Sequence, residues 1–172
     1  MKHVDRNTVV ASLLMMLALT ATPPAAAQEL TPSEEAGIKA DAQRHVEHYY
    51  NLYYERNPEA LSTEIFTLPW MVMGGNEVTI RTTEEENLEY FSSAIAGLIE
   101  RGWDKSTFRT RSVCVLGAGS AIVSGTNTRT RADGSVMSVG GVSYILGTTE
   151  DGWRIISFAG HSPDKVVSCG SE

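Results

Sequence analysis

Three kinds of side chain in this 172-residue sequence have types and spacing suited to chemistry. They are the arginines Arg109, Arg111, Arg129 and Arg131, the tyrosines Tyr49, Tyr50 and Tyr53, and His161, which ends the stretch Trp153–Ser162, WRIISFAGHS. A guanidinium grips a carboxylate through two parallel hydrogen bonds, so arginines gathered on one face would make an anion site. Histidine titrates near neutral pH without much help, and His161 opposite Tyr50 or Tyr53 would be a minimal acid–base pair. Tyrosines at helical spacing also have a plain use as core residues with satisfied hydroxyls. A general base must lie about 2.6–3.2 Å from the proton it takes, yet no Asp or Glu occurs from Ser106 to Arg131 or from Ser135 to Thr149. His161 is therefore expected to contact a ligand at a pocket mouth and not to serve a carboxylate-supported pair.

Other chemistries find little support. Neither Ser120 nor Ser124 sits in a Gly-x-Ser-x-Gly elbow, and no glycine-rich phosphate loop joins a strand to a helix. There is no Cys-x-x-Cys or His-x-x-x-His spacing, so neither a metal site nor a cofactor is expected.

The elements that would position these groups are readable from periodicity. Thr31-Pro32-Ser33-Glu34 is a capping box with proline at the first helical position. Ile38, Ala42, Val46, Tyr49 and Tyr53 follow at steps of three and four, so a helix should run to about Arg56. Asn57-Pro58 should start a short second helix through Glu64. Thr67–Met73 and Glu77–Thr82 flank Gly74-Gly75-Asn76 as a hairpin, and Thr83 caps a third helix reaching about Arg101. From Ser106 the period changes to two, in runs 106–116, 120–131, 135–147 and 153–161 separated by glycine-bearing turns. Helices followed by a meander imply an α+β domain, with helices covering one face of a strongly curved, mostly antiparallel sheet.

Residues two apart share a face. Counting from the turns puts Arg109, Arg111, Asn127, Arg129, Arg131, Ser138, Val142 and Tyr144 on one side, and extending the count across the last loop adds Ser157 and His161. That side has an apolar end and a polar end, as a concave pocket face would. The other side, with Thr126, Thr128, Cys114, Ser124 and Ser143, reads as an outer or dimer face. The candidate ligand-binding set is thus Arg111, Asn127, Arg129, Tyr144, Ser157 and His161 from the sheet, with Tyr50 and Tyr53 from the first helix.

Tyr49-Tyr50…Tyr53-Tyr54-Glu-Arg-Asn-Pro-Glu-Ala-Leu61, Phe66 through Met73, and Tyr144-Ile-Leu…Asp151-Gly-Trp-Arg-Ile155 stand in an order that resembles the nuclear transport factor 2-like, or SnoaL-like, superfamily over roughly residues 34–162. The resemblance implies a cone-shaped α+β fold whose members include isomerases, dehydratases, cyclases, epoxide hydrolases and binding-only proteins. Its enzymes generally use a carboxylate inside the cone, which the strands here lack.

Compartment and partners follow from the ends and the charge. Lys2 and Arg6, an apolar run from Val9 to Leu19, and Ala25-Ala26-Ala27 form a secretory signal with cleavage expected after Ala27. The apolar run is about half the roughly 20 residues that a membrane span needs. Removing residues 1–27 of 172 leaves 145, the size of one domain (28–172). The formal charge is −7 with no basic stripe, so nucleic acid is not an expected partner. Cys114 and Cys169, an even pair in an exported chain, are either separate thiols or one disulfide fastening the C-terminal tail. The leading reading is a periplasmic or secreted protein, a homodimer, that binds a small polar or anionic molecule in its cone. The alternatives are a small isomerase-, dehydratase- or cyclase-like enzyme using His161 as general acid or base, and a dimeric interaction module with a vestigial pocket.

Overall fold

The computed structural model describes residues 29–170; the expected signal segment, 1–27, lies outside them. Helix α1, Pro32–Tyr54, starts in the expected capping box: the Thr31 hydroxyl accepts the Glu34 N–H, and the Glu34 carboxylate accepts the Thr31 N–H at 2.8 Å. A single turn, α2 (Pro58–Ala60), runs into a π-turn, Leu61–Ile65. The expected second helix is therefore one α-turn followed by the wider π-turn, where the side chains of Ser62, Asn87 and His45 donate to the Glu59, Ser62 and Ile65 carbonyls. The β1–β2 hairpin (Phe66–Gly74, Glu77–Arg81) and α3 (Glu84–Glu100) come next. Four long strands follow: β3 (Lys105–Gly117), β4 (Ser120–Thr130), β5 (Val136–Thr149) and β6 (Gly152–His161).

The six strands form one sheet in the order β2-β1-β6-β5-β4-β3, antiparallel throughout except where β1 lies parallel to β6. The helices cover one face, and the core between them is aromatic. Tyr49 meets Tyr50, Tyr53, Phe66, Phe91 and Tyr144 edge to face, with ring centroids 5.2–6.5 Å apart. Such contacts hold rings in fixed relative orientations beyond what area burial alone requires. Asn87, fully buried, accepts from the Trp70 indole N–H at 2.9 Å and donates to the Ser62 carbonyl at 2.8 Å, tying α3 to β1 and to the π-turn. No described helix is long and apolar enough to cross a membrane.

Two β-bulges change which residues face the helices. In β3 the register slips between Thr110 and Ser112, so Phe108 pairs with Asn127 while Val113 pairs with Val123. In β6 it slips between Ile155 and Ser157, opposite Leu146 and Ile145. Each bulge inserts one unpaired residue and reverses the parity beyond it. Phe108 and Phe158 consequently face inward, and Arg109, Arg111, Ser157 and His161 face outward.

Beyond β6 the tail crosses the outer face. The Val167 N–H donates to Ser124 Oγ at 3.1 Å, and Cys169 is disulfide-bonded to Cys114 with Cα atoms 5.5 Å apart.

Candidate ligand-binding site

Between the helices and the sheet lies a partly open chamber of 130 Å³ lined by Tyr49, Tyr50 and Tyr53 of α1, Tyr90 of α3, and Ser106, Asn127, Arg129, Val142, Tyr144 and Phe158 of the strands. Tyr50 and Tyr53 point to the sheet because they share the inward stripe of α1, and Asn127, Arg129 and Tyr144 because β4 and β5 keep regular pairing along Asn127↔Gly140 and Val123↔Tyr144. The Tyr50 and Tyr144 hydroxyls lie 2.8 Å apart. One donates to the other, which leaves one hydroxyl hydrogen of the pair free for another acceptor. Phe108 stacks on Tyr50 with centroids 5.1 Å apart, fixing that ring.

Burial raises the pKa of all these phenols, making them weaker acids. Tyr50 and Tyr53 are pushed far above the ordinary phenol value, as are Tyr49 and Tyr144, and Tyr90 is raised as well. In every case the cause is loss of water around the charged form. The tyrosines are thus neutral hydrogen-bond donors at physiological pH. The nearby guanidinium of Arg129 opposes the rise at Tyr50 and Tyr53 without reversing it.

Two atoms of this site are buried without a hydrogen-bond partner among the described residues: Asn127 Oδ1 and Arg129 Nε. Asn127 is only 8 % exposed. A buried polar atom left unpaired costs about 1–3 kcal/mol, so these residues carry an expense that a bound polar molecule would relieve through modest side-chain rotation. Arg81, at the end of β2, lies over the Tyr90 ring at 3.6 Å, and its Nη1 is likewise buried and unpaired.

At the open end of the strands a groove of 590 Å³ adjoins the chamber and shares Asn127, Arg129, Val142 and Phe158 with it. His161 reaches the rim of this groove but does not enter the cone. Its ring lies against Gly141 on the outer face, with Nδ1 donating to the Ser162 carbonyl at 2.8 Å and Nε2 taking a hydrogen bond from Ser143 Oγ at 2.9 Å. Ser143 Oγ is 2.7 Å from Ser124 Oγ, which in turn accepts the Val167 N–H. His161 is thus one end of a hydrogen-bonded line that seats the tail.

Several sequence expectations are corrected accordingly. His161 and Ser157 do not share a face with Arg129, because the β6 bulge turns both outward. Arg111 occupies the β3 bulge and is exposed, Arg109 pairs with Thr126 on the outer side, and Arg131 is exposed in the β4–β5 turn. The cationic mouth of four arginines reduces to Arg129. Of the expected set, Tyr50, Tyr53, Asn127, Arg129 and Tyr144 come together. Tyr90, Ser106 and Phe158 were missed: parity alone hides Ser106 and Phe158 behind the bulges. Tyr90 precedes Phe91 on α3 and was legible only as a flank of its apolar stripe.

A second cleft, of 430 Å³, lies between α1, the π-turn and the start of β6 and contains His45, His48, Glu64 and Arg154. His45 Nε2 donates to the Ile65 carbonyl at 3.0 Å, and His48 is 3.2 Å from Glu64. Among the described residues no group of three or more His, Cys, Asp or Glu side chains is placed to hold a metal ion.

Comparison with known proteins agrees with this architecture. A structure of an NTF-2 like protein of unknown function from Shewanella oneidensis MR-1 superposes with a TM-score of 0.59 at 14% identity, covering 72% of this chain and 98% of that one. An NTF2-like protein with a cystatin-like fold from Novosphingobium aromaticivorans gives 0.61 at 16% identity, covering 77% and 88%. A ketosteroid isomerase-like protein from Erwinia carotovora atroseptica gives 0.52 at 17%, covering 72% and 94%. At such identities the likeness is one of fold alone. Among curated proteins none matches. The sequence model of the family described as NTF2-like protein (DUF6841) matches residues 38–163, which takes in the helices, the sheet and the chamber between them. The chain therefore belongs to this NTF2-like family.

Proposed function

We propose that this protein is exported and binds a small molecule in its cone through an anionic or strongly polar group held at Arg129. One observation carries the reading: the polar lining of the chamber consists of neutral tyrosine hydroxyls, a serine, an asparagine and one guanidinium, with no carboxylate or imidazole among the lining residues. Such a lining offers donors to an acceptor and supplies no general base, which favours binding over the His161-based enzyme. The chamber is well below the roughly 300–1,000 Å³ of a drug-sized pocket, so the group inside it is the size of a carboxylate with a few further atoms. Arg129, with a buried N–H lacking an acceptor, supplies the charge.

A ligand that binds only the folded state raises the melting temperature. Titration with acetate and propionate should therefore raise Tm, while acetamide should not. Arg129→Ala should lose the response and Arg129→Lys should keep part of it, since a lysine preserves charge but not the forked geometry. An unchanged response in Arg129→Ala, or no response to any acid in the wild type, would sink the reading.

A further inference from the structure

Four glycines of β4, β5 and β6 divide by what a side chain would meet. A Cβ at Gly125 would run into the Arg109 carbonyl and the Phe108 ring, and one at Gly141 into the His161 ring; packing requires both glycines. A Cβ at Gly140 or Gly160 would meet nothing within 4 Å, and neither residue has a positive φ. The fold therefore has no use for glycine at these two positions, although glycine within a strand is destabilising relative to alanine. Both face the inner side, Gly140 paired with Asn127 and Gly160 with Val142, and both line the groove that adjoins the chamber. Glycine in a strand often marks the close approach of a ligand. The second, independent sign is Asn127, buried, unpartnered at Oδ1, and common to chamber and groove.

We propose that the groove holds the body of the ligand whose anionic end lies at Arg129, and that this body is a planar ring, so that the ligand class is an aromatic carboxylate. The inference rests on the reading of the chamber given above. Gly140 and Gly160 lie diagonally on neighbouring strands, Gly160 being opposite Val142; such diagonal neighbours are about 7–8 Å apart, so the bare backbone floor between them spans about the width of a six-membered ring. Val142 and Phe158 wall the floor on the chamber side, and Pro163 lies at its outer end. Backbone bare of side chains between apolar walls suits a ring face, and a flexible alkyl chain would lose more freedom on being fixed there. Arg129, where groove and chamber meet, is the point at which the carboxylate would join the ring.

The test is isothermal titration of the exported protein with acetate, hexanoate and benzoate. Benzoate should bind at least about tenfold tighter than acetate, the factor expected from burying one ring face, and tighter than hexanoate. Gly140→Val and Gly160→Val should lose most of the benzoate affinity while binding acetate as the wild type does. Benzoate no tighter than acetate, hexanoate equal to benzoate, or valine variants that bind benzoate normally would each overturn the proposal. The wild-type series decides the matter even if a variant fails to fold. Acetate binding that depends on Arg129 would preserve the chamber reading when the ring proposal fails; binding of no acid at all would remove both.

Discussion

Gly125 and Gly140 sit on adjacent strands and face the same side of the sheet, yet their substitution should have opposite effects on stability. Alanine at Gly125 would overlap the β3 bulge, where the Arg109 carbonyl and the Phe108 ring already fill the space. Overpacking of this kind costs about 1–3 kcal/mol. Alanine at Gly140 enters open space and restricts the unfolded chain, so it should be neutral or stabilising by up to about 1 kcal/mol. Urea denaturation of the two variants checks the contrast; equal destabilisation would mean that the groove floor is packed in solution. A third residue-scale change is Tyr144→Phe, which removes one half of the buried 2.8 Å hydroxyl pair and strands the Tyr50 hydroxyl, itself 8 % exposed. A loss of about 1–2 kcal/mol is expected by the same measurement, together with weaker binding of acids in the chamber.

At the scale of elements, the junction of α1, the π-turn and β6 should respond to acid. Burial, with smaller contributions from Arg154 and His48, holds the His45 imidazole below its ordinary value, although the bond to the Ile65 carbonyl works the other way. The unfolded state then binds a proton more readily than the folded one. The sign follows: His45's contribution is present above the unfolded value of about 6.5 and is lost as pH falls below it. Melting temperatures between pH 7.5 and 5 should decline less steeply in His45→Gln than in the wild type, and parallel curves would refute the assignment. Glu34 and Glu86, held low chiefly by bonds from Thr31 and Thr82, weaken their helix starts only at still lower pH, as they protonate. Elements were also the scale at which the sequence was most readable. Capping residues, the switch from a period near four to a period of two, and glycine turns located α1, α3 and all six strands to within about two residues. The faces were readable only between bulges. Asn127, Arg129 and Tyr144 fell correctly because β4 and β5 pair without interruption there. Arg111, Ser157 and His161 fell wrongly because nothing in Thr110-Arg111-Ser112 or Ile155-Ile156-Ser157 announces an extra residue. A bulge is fixed by tertiary pairing, and one such residue inverts everything beyond it.

For the whole molecule, the decisive feature is that the chamber and the tail lie on opposite faces of one sheet. The tail from Ser162 to Gly170 has no regular secondary structure, and Val167 is 42 % exposed. Its described anchors on the sheet are the Val167 N–H bond to Ser124 and the disulfide to Cys114, 55 residues away in sequence. Closing a loop of that length restricts the unfolded chain and stabilises by about 2–4 kcal/mol. Reduction with dithiothreitol, or the double change Cys114→Ser and Cys169→Ser, should lower stability by about that amount and make the tail sensitive to limited proteolysis. Non-reduced mass spectrometry should find no free thiol in the protein; two free thiols would overturn the expectation. His161→Ala should act on the same face and in the same direction, more weakly, by leaving Ser143 without its acceptor. Because the Tyr50–Tyr144 pair and Arg129 lie on the far side of β4 and β5 from this attachment, acetate should bind the reduced and oxidised forms alike at temperatures where both are folded. A ligand response that disappears on reduction, without loss of fold, would mean that the tail and the chamber are coupled through the sheet and that the two faces do not act independently.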